Sequence, residues 1–358
     1  MSQSTDKLHA LGQRLWLDNI TRDLLDQGGL TRYIDECSVS GLTSNPTIFD
    51  NAIAGSEAYD QEIRTAGAGV SDEALFMTLA LQDLRRAADL FHPQFLASQR
   101  LDGWVSMEIS PLLARDTRGT LQAAREVCEQ AARENLFVKI PGTAESIPAI
   151  EEATFAGIPV NVTLLFSPGQ YRAAAEAYMR GLERRAAEGL SLDVASVASV
   201  FVSRWDAAVH ERVPEALRNR LGIAICTQCH AAGFEFLRSP RWRALAAAGA
   251  RPQRLLWAST GTKDPQASDT LYVESLLAPS TINTVPEKTL LAFADHGRVD
   301  RQMPVDSLEA DALVDEFRRL GIDMEALAQQ LQDDGANAFV KSWRQLLLRI
   351  AEKRAVLS

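Results

Sequence analysis

Lys139 closes the apolar run Leu136–Ile140 and is followed by Pro141 and Gly142, so a primary amine stands near the C-terminal end of a buried strand. An amine attacks a carbonyl only when neutral. With an unperturbed pKa of about 10.4, roughly a thousandth of a lysine is neutral near pH 7.5, so a nucleophilic role needs burial to bring that value down. Lysines at strand ends more often lie along apolar surface with their heads in water, and the company of Lys139 decides between the two readings. Asp18, Asn45, Glu108, Asn161, Thr163 and Ser199 each fall near the C-terminal end of another apolar run, Asn45 just past its own. One amine, two carboxyls and several neutral hydrogen-bonding groups suit carbonyl chemistry on a polyol. A Schiff base makes the substrate carbon an electron sink, and an adjoining carbon–carbon bond breaks once a base takes a hydroxyl proton. This chemistry calls for no metal or cofactor. Two carboxylates could instead be a glycosidase pair, which would leave the lysine without a role.

Elements that could bring these residues together alternate along the whole chain. Eight apolar runs read as strands: Leu15–Asp18, Val39–Ser44, Trp104–Ile109, Leu136–Ile140, Val160–Phe166, Ser196–Val202, Arg254–Ser259 and Thr281–Val285. Between them lie patterns of helical period. One opens at Ser71 and is expected to stop at Pro93; another runs from Thr117 to Asn135. A third has Ser167 as its cap and Pro168 in its first turn, and a fourth starts at Pro286 and ends at Gly297. Strands alternating with helices imply parallel units, and eight of them predict one closed α/β barrel, a (β/α)8 TIM barrel spanning residues 1–358. The longer gaps hold extra helices, and residues 307–358 read as a C-terminal helical extension packed on the barrel. Period-two alternation puts Asn161 with Thr163, Ser106 with Glu108, Trp16 with Asp18, and Ser199 with Phe201 on shared faces. Barrel interiors are mostly filled by branched apolar residues, so polar side chains on the inward face of successive strands need a functional reason.

A net charge of −10 argues against a broad nucleic-acid face while leaving room for a local basic pocket. The first residues lack the apolar core of an export signal, and no apolar stretch is long enough to cross a membrane; the expected location is the cytoplasm. Four cysteines are too few for a disulfide scaffold. Cys37 and Cys128 read as packing residues. Cys226, Cys229 and His230 match a haem-attachment spacing, but they lie in an expected helix from Ile223 to Leu237, where positions three apart share a face.

Six blocks occur in an order and spacing that resemble the transaldolase family: Leu17–Asn19, Gly41–Phe49, Val105–Ile109, Phe137–Thr143, Val160–Ser167 and Phe201–Arg204. With Trp257–Lys263 and Thr284–Thr289 they are similar to the longer form of that family. The resemblance implies a Schiff base between Lys139 and a ketose phosphate, with Asp18 exchanging the hydroxyl proton. It implies that Glu108 and Thr163 position a proton-relaying water and that Asn45, Asn161 and Ser199 hold the hydroxyls of a three-carbon unit, with Phe201 beside them. Arg204 fits the family's phosphate-binding arginine. Where shorter relatives carry a second arginine, this chain has Ser259 and Lys263, which are expected to complete the phosphate site. The implied reaction moves dihydroxyacetone from sedoheptulose 7-phosphate or fructose 6-phosphate to an aldose phosphate. The rivals are an aldolase of the same superfamily that releases free dihydroxyacetone, and a catalytically silent barrel used for binding. The implied partners are phosphorylated sugars, without nucleic acid or membrane, and a homodimer is compatible with the sequence.

Overall fold

In a computed structural model describing residues 3–67 and 69–357, the eight runs form strands, each bound within one residue of expectation. They are β1 (Arg14–Asp18), β2 (Val39–Thr43), β3 (Trp104–Glu108), β4 (Leu136–Pro141), β5 (Val160–Leu165), β6 (Ser196–Phe201), β7 (Arg254–Ala258) and β8 (Ile282–Val285). Each pairs in parallel with the next and β8 closes on β1, giving the (β/α)8 barrel. The register sets Glu108 beside Lys139 and Lys139 beside Asn161, so three polar residues from adjacent strands stand at one level.

The inward face is layered from bottom to mouth. At the bottom Arg14 and Arg254 share Asp102, at 2.6 and 3.4 Å. Above it lies an aromatic plug in which Phe137 stacks on Trp104 with centroids 4.2 Å apart and meets Trp16 at 6.1 Å. Gly41 makes room for this plug, since a β-carbon there would stand 2.6 Å from the Trp16 indole nitrogen. The polar residues form the next layer toward the mouth.

Two expectations about local structure need correction. The helix opening at Ser71 does not stop at Pro93 but continues to Ala97. A proline in a helix interior costs about 3 kcal/mol, and burial of Phe91 and Phe95 on either side of it offsets that cost; Phe95 packs edge-on against Trp104 with centroids 5.1 Å apart. In β5 the alternation holds through Asn161 and Thr163 and then breaks. Leu164 has φ = +60° and the pairing with β6 shifts between Val162 and Leu165, a bulge that turns the chain at the mouth.

The segment after Ser307 forms helices Leu308–Arg319 and Met324–Leu357. The second, 34 residues or about 50 Å long, lies across the barrel mouth. Gln332, Gly335, Phe339 and Trp343 share its inner face. The Gln332 amide donates to the carbonyls of Gly142 and Leu164 at 3.0 and 2.9 Å, beside the ends of β4 and β5. Gly335 permits the approach: a β-carbon there would lie 2.8 Å from the Leu164 side chain and 3.0 Å from Arg204 Nη1. Farther along, Trp343 is fully buried edge-on against Phe76. One continuous apolar core runs from Leu8 to Ile350 and so includes this helix. Among the described residues no helix is long and apolar enough to cross a membrane. Cys226 and Cys229 lie in helix Leu221–Arg238, the helix expected there, and both are buried, which raises both thiols.

Candidate active site

Lys139 extends from β4 into the mouth and is only 7% exposed. Its Nζ lies 2.9 Å from Glu108 Oε1 on β3 and donates to the carbonyl of Ser44 at 2.9 Å. Asp18, at the end of β1, accepts a 2.7 Å hydrogen bond from Thr43, whose hydroxyl also meets that of Thr284 at 2.7 Å. Burial raises both carboxyls above their ordinary range. For Asp18, the Lys139 charge and the Thr43 hydroxyl pull the value part of the way back. For Glu108, Lys139 also opposes the rise and the Asp18 charge adds to it. Two acids thus share one amine in a place that disfavours a second net negative charge, an arrangement that keeps a proton available for exchange within the group.

A second set of polar residues runs across the strands. Ser199 on β6 donates to Asn161 Oδ1 at 2.6 Å, and Asn161 Nδ2 donates to Ser106 on β3 at 3.2 Å. Asn161 is completely buried, and these bonds fix which end of its amide faces which neighbour. Thr163 lines a narrow cleft with Glu108, Lys139, Pro141 and Phe339. Its volume of about 10 Å³ lies at the lower limit of what a single water needs. A cavity of about 440 Å³ beside Arg220, Arg298 and Glu309 is lined by none of the mouth residues, so cavity size does not locate the chemistry.

Asn45 has a structural task that its sequence position also announces. Its Oδ1 caps helix Pro46–Gly55 by accepting from Ile48 N at 3.1 Å, which aims the rest of the amide from a fixed turn. At the end of β6, Phe201 lies under the Arg204 guanidinium, 5.1 Å from the ring centroid. Arg204, in the first turn of helix Ser203–Val209, is half-buried, and burial lowers its pKa against the opposing charge of Asp334. Ser203 ties this turn to the end of β7: its N–H donates to the Ser259 carbonyl at 3.1 Å and the two hydroxyls meet at 3.0 Å. Ser259 itself has φ = +57°. Lys263 is exposed, and no hydrogen bond or ion pair among the described residues ties it to Arg204 or Ser259.

The structure therefore brings Lys139, Glu108, Asp18, Thr163, Asn161 and Ser199 to one mouth, with Asn45, Phe201, Arg204 and Ser259 on its rim and Lys263 farther out. Residues not singled out from sequence are Thr43, Gln332 and Phe339. Thr43 carries a usable signal, its period-two relation to Gly41. Gln332 and Phe339 carry none, since they reach the mouth from almost two hundred residues along the chain.

A sequence model described as Transaldolase/Fructose-6-phosphate aldolase matches residues 15–350. A transaldolase of Thiobacillus denitrificans is 46% identical, covering 97% of this chain and 99% of its own. One of Thermobifida fusca is 44% identical with 99% of each chain covered. A protein named transaldolase 2 of Nostoc punctiforme is 39% identical over 97% of this chain and 96% of its own. The chain belongs to the transaldolase/fructose-6-phosphate aldolase family.

Proposed function

We propose that the chain performs its transaldolase reaction through a Schiff base at Lys139. The donor is a ketose phosphate, sedoheptulose 7-phosphate or fructose 6-phosphate, and the acceptor is glyceraldehyde 3-phosphate or erythrose 4-phosphate. The reaction belongs to the non-oxidative pentose phosphate pathway, and the enzyme works in the cytoplasm as one catalytic unit of residues 1–358. The observation that carries the mechanism is the placement of Lys139 Nζ 2.9 Å from Glu108, in a buried pocket whose other carboxyl is Asp18.

The Lys139 amine, having given a proton to the carboxyl pair, adds to the ketose carbonyl, and the carbinolamine loses water to give an iminium. Glu108 and Thr163 exchange protons with that water, and the narrow cleft that both of them line supports this role. Asp18 then takes the proton of the hydroxyl on the far carbon of the bond to be broken, and that oxygen becomes the carbonyl of the departing aldose. The carbon–carbon electrons move into the iminium, an enamine stays on Lys139, and an aldose phosphate leaves. The same steps run backwards with the acceptor. Asn45, Asn161 and Ser199 hold the hydroxyls of the retained unit, and Phe201 packs beside it. Arg204 receives the phosphate with a guanidinium that is in no ion pair among the described residues, assisted by Ser259 and Lys263.

Asp18→Asn tests the division of labour. It should still form a reducible imine with fructose 6-phosphate while losing at least about a hundredfold in cleavage, the usual weight of one general base. Loss of both imine and cleavage would give Asp18 a structural role. The family description also covers aldolases, and dependence of turnover on an added aldose phosphate separates transfer from release.

A further inference from the structure

The family name covers enzymes that pass dihydroxyacetone on and enzymes that release it, so something in each member decides the fate of the enamine. Release has defined requirements. The enamine carbon must take a proton to give an iminium, and water must add to its carbon. The carbon–nitrogen bond then breaks as the nitrogen takes the hydroxyl proton, freeing dihydroxyacetone and the lysine amine. Each step needs water or a solvent-derived proton at the Lys139 side of the mouth.

An apolar ring stands on that side. The centroid of Phe339 lies 6.0 Å from Lys139 Nζ, and Phe339 forms part of the wall of the narrow cleft beside Glu108 and Thr163. Beneath the amine the Ser44 carbonyl accepts its hydrogen bond, so protein covers Nζ on that side too. The ring does not hang from a free loop. It lies seven residues, about two helical turns, beyond Gln332, which is bonded to both catalytic strand ends, and four residues before the buried Trp343. The proposed phosphate groups stand at the ends of β6 and β7, and Arg204 lies against Gly335, one turn before Phe339 on the same helix.

We infer that Phe339 is the residue that shields the Lys139 enamine from water and so sets the ratio of transfer to release. The inference rests on the Schiff base at Lys139 proposed above. The experiment compares wild type, Phe339→Ala and Phe339→Leu with fructose 6-phosphate. Free dihydroxyacetone is measured without acceptor and transfer with erythrose 4-phosphate, after borohydride trapping has been mapped in each protein. With the adduct on Lys139 in all three, Phe339→Ala should raise release relative to transfer at least tenfold. Phe339→Leu, which restores much of the apolar cover, should lie near wild type. An unchanged ratio in Phe339→Ala with trapping intact overturns the inference and leaves the Schiff base standing. No adduct on Lys139 in wild type overturns the Schiff-base reading and this inference with it. Should Phe339→Ala be poorly folded, Phe339→Thr, smaller and polar, serves in its place, and a ratio equal to wild type in that variant with trapping intact overturns the inference.

Discussion

Gln332→Met removes two hydrogen bonds while nearly preserving the shape of the side chain. Gln332 is 2% exposed, and its amide nitrogen serves the carbonyls of Gly142 and Leu164 at 3.0 and 2.9 Å. An unpaired buried carbonyl costs about 1–3 kcal/mol, so two cost about 2–6 kcal/mol, less whatever water entering from the mouth recovers. The lower bound corresponds to about 30-fold in the opening equilibrium of the C-terminal helix. Hydrogen exchange should therefore quicken at least about 30-fold in peptides covering residues 324–345, with much less change in β1 and β2. The same carbonyls neighbour the catalytic strand ends, where Gly142 N donates to the Thr163 carbonyl at 2.7 Å. Small displacements there are costly, so kcat should fall about tenfold to a hundredfold with little change in KM. Gln332→Glu should be worse than the Met variant at neutral pH, because a carboxylate faces two acceptors, and should improve toward pH 5 as it gains a proton. Unchanged exchange in 324–345 together with kcat within twofold of wild type would refute the reasoning.

Other outcomes follow from the same geometry. Asp18 and Glu108 are both raised by burial, so the acid limb of kcat/KM should lie above the ordinary carboxylate range; in Asp18→Asn the residual activity should lose one of the two ionisations. Asp206 accepts from the N–H groups of Leu221 and Gly222 and from the Tyr272 hydroxyl, and burial pushes it from 3.8 to about 6. The folded state thus holds this proton to higher pH than the unfolded chain does. Its contribution, of the order of 3 kcal/mol, is full below pH 3.8 and lost as pH rises through about 6. Urea midpoints measured between pH 4 and 6.5 should fall less steeply for Asp206→Asn than for wild type. Arg204→Ala should raise KM for fructose 6-phosphate at least tenfold, and Lys263→Ala should raise it by a smaller factor; an unchanged KM in Lys263→Ala removes that residue from the phosphate site.

The barrel was legible because its strands are short, apolar and separated by strong helix signals, and because polar residues recur on the inward face near the ends of several strands. Asn161 and Thr163 show this: each was placed by period-two counting and each lies buried in the mouth. The count fails at Leu164, where a bulge is dictated by the fit of the chain to its neighbours and not by a local residue pattern. Pro93 misled for a related reason, since the burial of Phe95 against Trp104 is a contact between distant elements. Gln332 sits in the run Ala328–Gly335, where glutamines and aspartates look like a solvated helix face. Nothing local distinguishes the one glutamine that turns inward. Asp206 was missed likewise, because its partners Leu221, Gly222 and Tyr272 meet it only in the folded chain.

The central claim is that Lys139 carries the substrate. Borohydride reduction in the presence of fructose 6-phosphate, followed by mass mapping of the peptide containing residues 136–143, tests it directly. The account predicts a reduced three-carbon adduct on Lys139 and none in Lys139→Met. An adduct on another lysine, or none in a folded and active protein, would contradict it.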